Sequence, residues 1–239
     1  MKTTDNSLIL CLQVQLNKKI EEMTEDDFKM IESLSFDSRC IDGSVNINDF
    51  SKIKLFSNLK VINVNNAILS NESLSYFNLP NIQQINLINC TFVDDVDFSN
   101  ISGITELSLN KCFVDDYSLL LKSLEKIKSV HIINPYDDNE IDIESLNCNL
   151  EVLVLEHCII KNTNLLEKFD ACVMLSLLNS SMDNVDLQFL KKMKSLKQLF
   201  ISRKYMEEVN SLNLNHMIDV RFNLNVFAQD DIDYVSYKI

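Results

Sequence analysis

The sequence IQQINLINC, residues 82–90, decides the fold, because two later stretches repeat its pattern of apolar side chains. ITELSLNKC at 104–112 and LEVLVLEHC at 150–158 also have aliphatic residues at the first, fourth and sixth positions and cysteine at the ninth. The residues that alternate with positions four and six along the strand are mostly polar. An alternation of this kind is typical of a short strand with one buried face.

Looser copies of the pattern extend along most of the chain. Their first positions are Leu59, Ile127, Cys172, Leu196 and Met217, and an earlier degenerate copy begins at Ile31. The eight regular copies follow one another in steps of 21 to 24 residues. Each step leaves about 15 residues for the chain to return, so successive strands should run parallel. Apolar residues spaced three apart, as at Leu187, Leu190 and Met193, predict short helical or 3₁₀ segments in the returns.

This repeat resembles the leucine-rich repeat family, in its class of about 22 residues, to which internalin-type proteins and phosphatase regulatory subunits belong. The resemblance covers about residues 24–230. It implies an α/β fold: a right-handed leucine-rich repeat solenoid with a concave parallel β-sheet, short helical, 3₁₀ or irregular convex segments and a helical N-terminal cap. The family implies protein binding, and it provides no ligand residues for this chain, because only the repeat framework matches.

We expect a single structural domain with a cap at each end. A helical N-terminal cap would occupy 1–30, about nine repeats would occupy 31–225, and a C-terminal edge strand or cap would occupy 226–239. The first cap is predicted from apolar residues that line one helical face, namely Leu8, Leu12, Leu16, Ile20 and Met23. The alternation over 8–16 would equally suit a strand, but the charged residues 18–22 favour a helix. Thr24, followed by three acids, is typical of the N-cap of a second helix.

The composition excludes several classes of function. The chain contains two glycines, too few for a glycine-rich phosphate loop or a nucleophile elbow. Its formal charge of −13 has the wrong sign for binding nucleic acid, and no apolar run of about 18 residues predicts a membrane span. We therefore expect no enzyme, no catalytic residue and no cofactor. The acidity favours a neutral or basic partner, although it equally suits a soluble surface kept monomeric by repulsion.

The seven cysteines contain no C-x-x-C pair, so neither a zinc site nor a thioredoxin-type pair is predicted. Unpaired thiols and the absence of a signal peptide favour a cytoplasmic location, and delivery by an unrecognised route stays open. Cys90, Cys112 and Cys158 occupy the ninth position, where a small side chain turns inward. We interpret them as buried structural thiols, with a redox role as the alternative.

Outward-facing strand positions change character along the chain. In the early repeats they are mostly polar, and in the later repeats they become apolar with a polar rim. Contiguous apolar residues on a solvated face suggest a contact site, although Val, Ile and Phe are also simply good strand formers. The predicted partner-binding residues on the concave face are Ile133, Val152, Val154, Glu156, His157, Met174, Leu178, Phe200, Arg203 and Arg221. Phe200 is the first candidate for an anchor.

Two clusters raise the question of a metal. His131 and His157 fall on successive strands near Glu156, but in different columns and without a third His or Cys ligand nearby. The acid pairs Asp94-Asp95 and Asp115-Asp116 recur in consecutive repeats and suggest either a calcium site or a solvated charged edge. The pattern favours the non-metal interpretation for both clusters.

The sequence therefore predicts a non-enzymatic protein–protein interaction module that binds a protein partner on its concave face and is a monomer. Two alternatives remain. The chain could be an inhibitor or regulatory subunit of an enzyme with a basic surface, or a host-interacting effector or surface module. Salt dependence of binding would separate the regulatory alternative from a simple adaptor.

Overall fold

The structure is a computed structural model that describes residues 7–37, 50–134, 140–146, 149–184, 186–214, 218–223 and 234–237. The chain divides into two compact units, Met1–Ser123 and Leu124–Ile239, which we call unit 1 and unit 2. Within the described residues, no helix is both long enough and apolar enough to cross a membrane.

Unit 1 begins with helices and continues as a stack of parallel strands. Its elements are α1 (Ser7–Leu16), a 3₁₀ turn (Ile20–Glu22), α2 (Glu25–Lys29), β1 (Ser33–Asp37), a 3₁₀ helix (Ser51–Leu55), β2 (Val61–Asn65), β3 (Ile68–Leu69), α3 (Asn71–Ser75), β4 (Gln84–Ile88), β5 (Thr91–Phe92), β6 (Glu106–Asn110) and α4 (Tyr117–Lys122). Strands β1, β2, β4 and β6 pair in that order, all parallel. The two-residue strands β3 and β5 form a second parallel ladder.

Unit 2 repeats the same plan with 3₁₀ helices in most of its returns. Its elements are β7 (Ser129–Ile133), β8 (Glu140–Asp142), a 3₁₀ helix (Ile143–Ser145), β9 (Val152–Glu156), β10 (Ile159–Lys161), a 3₁₀ helix (Thr163–Lys168), β11 (Met174–Leu177), β12 (Ser181–Met182), two more 3₁₀ helices (Leu187–Lys191 and Arg203–Tyr205) flanking β13 (Gln198–Ile201), α5 (Met206–Ser211), β14 (Asp219–Asn223) and β15 (Tyr234–Tyr237). Strands β7, β9, β11, β13 and β14 pair in parallel, and β15 joins β14 antiparallel. A smaller ladder has the order β12-β10-β8.

The predicted repeat is confirmed by the position of the main strands. Each one begins two residues after a predicted first position, as β4 does after Ile82 and β9 after Leu150. The fourth and sixth positions are fully buried, for example Ile85 and Leu87. Met217, the first position of the last repeat, lies outside the described residues. The predicted α/β class and the short helical returns are therefore confirmed, while the boundaries at 30 and 225 stay predictions.

The N-terminal segment is helical, as predicted, but the charged residues do not continue the helix. It ends at Leu16, Asn17 has a positive φ, and Ile20–Glu22 forms a separate 3₁₀ turn. Leu12 on α1 is buried, whereas the side chains of Leu8 and Ile20 lie outside the described residues. The side-chain amide of Gln15 donates to the carbonyl of Ser33, at 2.7 Å, and accepts from the backbone N–H of Ser35, at 3.5 Å. Gln15 thus occupies backbone groups on the outer edge of β1, as expected of a cap.

Thr24 forms the predicted N-cap of α2, as one half of a reciprocal capping box. Its hydroxyl oxygen accepts from the backbone N–H of Asp27, and the Asp27 carboxylate accepts from the backbone N–H of Thr24, at 2.8 Å. Lys18 lies 2.6 Å from the same carboxylate. The hydrogen bonds from Lys18 and Thr24 lower the pKa of Asp27 to about 2.

The eighth repeat position turns the chain out of the strand through the left-handed region. Its φ angles lie between 52° and 58° at Asn66, Asn89, Lys111, His157 and Asn179. Asparagine tolerates this conformation because its short amide side chain can hydrogen-bond to the nearby backbone, whereas longer side chains are strained in it. Three of the five positions carry asparagine, and Lys111 and His157 therefore hold the turn at a conformational cost.

Replacing Lys111 by asparagine should stabilise unit 1 by relieving that strain. We expect Lys111→Asn to raise the free energy of unfolding by about 0.5–1 kcal/mol, and the reciprocal Asn89→Lys to lower it by about as much. Both side chains are exposed, so neither change disturbs packing. Urea denaturation of the two variants beside the original protein measures the effect, and three equal stabilities would contradict it.

The ninth-position cysteines are buried, as predicted, and their thiols point at backbone carbonyls. The Sγ atom of Cys112 lies 3.3 Å from the carbonyl oxygen of Leu87, and that of Cys158 lies 3.2 Å from that of Glu156. The neighbouring Cys90 thiol and burial both raise the pKa of Cys112. Burial raises the pKa of Cys158 to about 12. Cys11, Cys40 and Cys148 lie outside the described side chains.

These thiols should be unreactive while the protein is folded, because burial blocks access to all four. Thiolate formation is also suppressed at Cys112, Cys158 and Cys172, whose pKa values are raised. At pH 8 we expect N-ethylmaleimide to label Cys90, Cys112, Cys158 and Cys172 at least about tenfold more slowly in buffer than in urea. Mass spectrometry of tryptic peptides assigns the label to each cysteine. Rapid labelling of any of the four in buffer would revive the redox interpretation.

Candidate partner-binding face

The third, fifth and seventh positions of the main strands lie on the side of the sheet opposite the buried fourth and sixth positions. We call this surface in the second unit the open face of unit 2. The strand register aligns equal positions into columns. Column three runs Ser129–Val152–Met174–Gln198–Asp219, and column five runs His131–Val154–Ser176–Phe200–Arg221. In column seven, Ile133 lies opposite Glu156.

The apolar part of this face is smaller than the sequence predicted. Val152, Met174, Phe200 and Ile133 are partly exposed. By contrast, Val154 is 4% exposed and Leu178 is 2% exposed. The expectation that these two side chains present a contact surface is therefore corrected: both belong to the packed interior of the face. Alternation along one strand predicts direction, but exposure also depends on the flanking strands, where His131 and Ser176 lie level with Val154.

Glu156 is a largely buried carboxylate beside these apolar residues. The hydroxyl of Ser176 on the next strand donates to its Oε1 atom at 2.5 Å. Burial raises the pKa of Glu156, while the hydrogen bond from Ser176 and the proximity of His157 act in the opposite direction. Its strongest described hydrogen bond thus comes from a neutral hydroxyl, which compensates a desolvated charge less well than a cation does.

Phe200 is held by a neighbouring ion pair. The guanidinium of Arg221 lies 5.4 Å from the centroid of the Phe200 ring. Asp219 fixes that guanidinium, with its Oδ2 atom 2.7 Å from Nη2 and 2.9 Å from Nε. One side of the candidate anchor therefore carries a positioned cation, so Phe200 and Arg221 present a combined apolar and cationic surface.

A chain of amide hydrogen bonds joins the strand ends at the rim. Nδ2 of Asn179 lies 3.1 Å from Nε2 of His157, and Oδ1 of Asn179 accepts from Nδ2 of Asn223 at 2.5 Å. The Oδ1 atom of Asn223 in turn accepts from the backbone N–H of Arg203 at 3.2 Å. This network fixes the turns that carry His157 and Arg203, while the Arg203 side chain remains exposed.

The two histidines have separate partners. His131 Nε2 lies 2.9 Å from the hydroxyl oxygen of Ser129, whereas His157 belongs to the rim network. Over the part of the chain that the structure describes, no group of three or more His, Cys, Asp or Glu side chains is placed to hold a metal ion. Of the acid pairs, Asp116 caps α4 by accepting from the backbone N–H of Ser118 at 2.7 Å.

Sequence reasoning missed three residues of this face: Ser176, Asp219 and Asn223. Each occupies an outward repeat position, namely the fifth, third and seventh. Counting from the predicted first positions would have found them. Their polar side chains alone did not show which charged or amide neighbour they would meet.

The open face of unit 1 is polar, as the sequence indicated. Asn63 donates from Nδ2 to the hydroxyl of Ser35 at 3.0 Å, and Asn86 donates from Nδ2 to Oδ1 of Asn63 at 2.7 Å. These amides therefore satisfy one another along the fifth column of β1, β2 and β4. The apolar and ionic features described above belong to unit 2.

Parallel strands in register, a left-handed turn after most of them and short helical returns define a leucine-rich repeat fold. The chain is similar to internalin C2 from Listeria monocytogenes, with 16% identity and a TM-score of 0.50 over 90% of this chain and 82% of that one. An internalin of the same organism, inlF, matches at 13% identity and a TM-score of 0.36 over 93% of this chain and 89% of that one. The first likeness shows the fold alone. No family model and no curated protein matches the chain.

Neutralising Glu156 should stabilise the protein at neutral pH. Because the folded-state pKa is raised above the ordinary value of 4.5, stability is lost as pH rises through and above that value. We expect Glu156→Gln to have a higher Tm than the original protein at pH 7, and the difference should vanish below pH 4. The exposed Glu106, at an outward position of β6, provides the control Glu106→Gln, whose Tm difference should not depend on pH in this way. Thermal melts from pH 3.5 to 7.5 measure both.

Proposed function

We propose that the protein binds a protein partner through the open face of unit 2 and catalyses no reaction. The observation that carries this proposal is Glu156, a largely desolvated carboxylate whose described donor is the hydroxyl of Ser176, at 2.5 Å. A buried charge with a weak donor lowers stability. Such a feature is retained where it serves binding, because a partner can supply the stronger donor.

The surroundings of Glu156 favour a protein ligand. Val152 and Met174 lie side by side in column three, and Phe200 lies one strand further on in column five. These partly exposed side chains offer an apolar centre, and His157, Arg203 and Arg221 offer a polar rim. An apolar centre within a polar rim is the usual anatomy of a protein interface. We infer that the partner inserts an apolar side chain beside Met174 and directs a lysine or arginine to Glu156.

The net charge of −13 favours a partner with a basic surface, as an inhibitor or regulatory subunit would require. Steep loss of affinity between 50 and 500 mM salt supports that alternative, and a flat dependence supports a simple adaptor. The same charge opposes self-association, so we propose a monomer. Buried unpaired thiols at Cys90, Cys112, Cys158 and Cys172 support a reducing compartment, as in the cytoplasm.

Affinity capture from the native cell with matched variants tests the open face. We expect Met174→Asp and Phe200→Ser each to reduce capture of the partner at least about tenfold, because they place a charge or a void in the contact. Ser108→Asp makes the matching change at a partly exposed fifth position in unit 1 and should leave capture unchanged.

Circular dichroism melts establish that all variants are folded. A partner retained equally by Met174→Asp and Phe200→Ser would overturn the proposal. Glu156→Gln separates the charge from the apolar contact, since it should weaken capture while raising stability.

A further inference from the structure

A second exposed apolar surface lies on unit 1, away from its open face. The ladder of β3 and β5 pairs Ile68 with Thr91, and Thr91 forms a parallel bridge with Phe113 in the following repeat. Leu69, Phe92 and Val114, one residue further on, point inward and are buried. The alternation of a strand therefore directs Ile68, Phe113 and Val93 outward.

These three side chains are unusually exposed for their type. Ile68 is 39% exposed, Val93 is 60% exposed and Phe113 is 53% exposed. We call them the side strip. Ile68 and Val93 also line a groove of about 600 Å³ together with Tyr76 and Glu72. Large apolar side chains that adjoin a groove, and are not scattered singly, mark an interaction surface.

Acidic residues surround the side strip. Glu72 lines the groove, Asp94 and Asp95 directly follow Val93, and Asp115 and Asp116 follow Phe113 two and three residues later; all five are exposed. Two lysines belong to the same region: Lys54 lies over the Tyr76 ring at 5.2 Å, and Lys111 precedes Phe113 by two residues. The acids outnumber them, so the surface favours a cationic occupant and opposes an anionic lipid surface or a nucleic acid.

The spacing of the strip matches one face of a helix. Ile68, Thr91 and Phe113 lie side by side on neighbouring segments, so Ile68 and Phe113 are two strand spacings apart, or about 10 Å. Val93 lies on the middle segment, two residues beyond Thr91. In an α-helix, residues i and i+7 are also about 10 Å apart, with i+3 and i+4 between them. We propose that the side strip of unit 1 docks a basic amphipathic helix of a partner protein, whose apolar face covers Ile68, Val93 and Phe113 while its lysines or arginines meet the surrounding aspartates.

A designed peptide tests this directly with the full-length protein. The probe is a fluorescein-labelled 18-residue peptide of leucine and lysine, with leucine spaced i, i+3, i+4 and i+7, and binding is measured by fluorescence anisotropy. We expect Val93→Ser/Phe113→Ser to weaken binding at least about tenfold. We expect Asp95→Asn/Asp115→Asn to weaken it about three- to tenfold and to reduce its salt dependence. The matched control Glu207→Gln/Glu208→Gln removes two exposed acids from α5 in unit 2 and should change affinity less than about twofold.

Four results would overturn the proposal. The first is equal binding of a peptide with glutamate in place of every lysine, and the second is affinity unchanged by Val93→Ser/Phe113→Ser. The third is loss of binding in Met174→Asp, which would move the site to the open face of unit 2. The fourth is concentration-dependent self-association abolished by Val93→Ser/Phe113→Ser, which would assign the strip to a second copy of this chain. We expect Met174→Asp to reduce capture of the partner of the open face and to leave binding of the peptide unchanged. Either proposal can therefore fail without the other.

Discussion

The structure depends on parallel pairing between equal positions of consecutive repeats. Each main strand is five residues or shorter and buries two apolar side chains on one face. A strand of that length has no independent stability, so it is ordered only where its neighbours supply backbone partners and apolar contacts. Register follows from the same requirement, because a shift by one residue would expose Ile85 and Leu87 and bury their polar neighbours.

The same register determines the chemistry of the outward surface. Since equal positions align, a single side chain meets its counterparts on the two adjacent strands. In unit 1 this brings Asn63 against Ser35 and Asn86, and the amides neutralise one another's hydrogen-bonding capacity. In unit 2 it brings Phe200 against Arg221. Glu156 meets Ser176 diagonally, because Glu156 is in column seven and Ser176 is in column five of the next strand. The same backbone arrangement thus carries a mostly polar outward surface in unit 1 and a mixed apolar and ionic one in unit 2.

The sequence predicted the strand positions, the buried fourth and sixth residues, the Thr24 cap and the burial of the ninth-position cysteines, because each follows from a local pattern. It did not predict the ladders β3–β5 and β8–β10–β12, whose two- or three-residue strands are too short for a recognisable period. It also placed Val154 and Leu178 at the surface. Alternation shows to which face of the sheet a side chain points, but its exposure depends on the size of the side chains in the neighbouring repeats. The contact of the Asp219–Arg221 ion pair with Phe200 could not be predicted from one strand. It depends both on the pairing of β13 with β14 and on the two-residue spacing of Asp219 and Arg221 within β14.

The hydrogen bonds of Gln15 bear on whether a second copy can pair with the edge strand β1. Repeating parallel strands offer an outer edge to which an identical molecule can add by backbone pairing. The amide of Gln15 imitates a peptide group and occupies both a carbonyl and an N–H of β1. In unit 2, β15 pairs antiparallel with β14, so the direction of the strands reverses there. A second copy cannot pair with β1 through the two backbone groups that Gln15 already occupies.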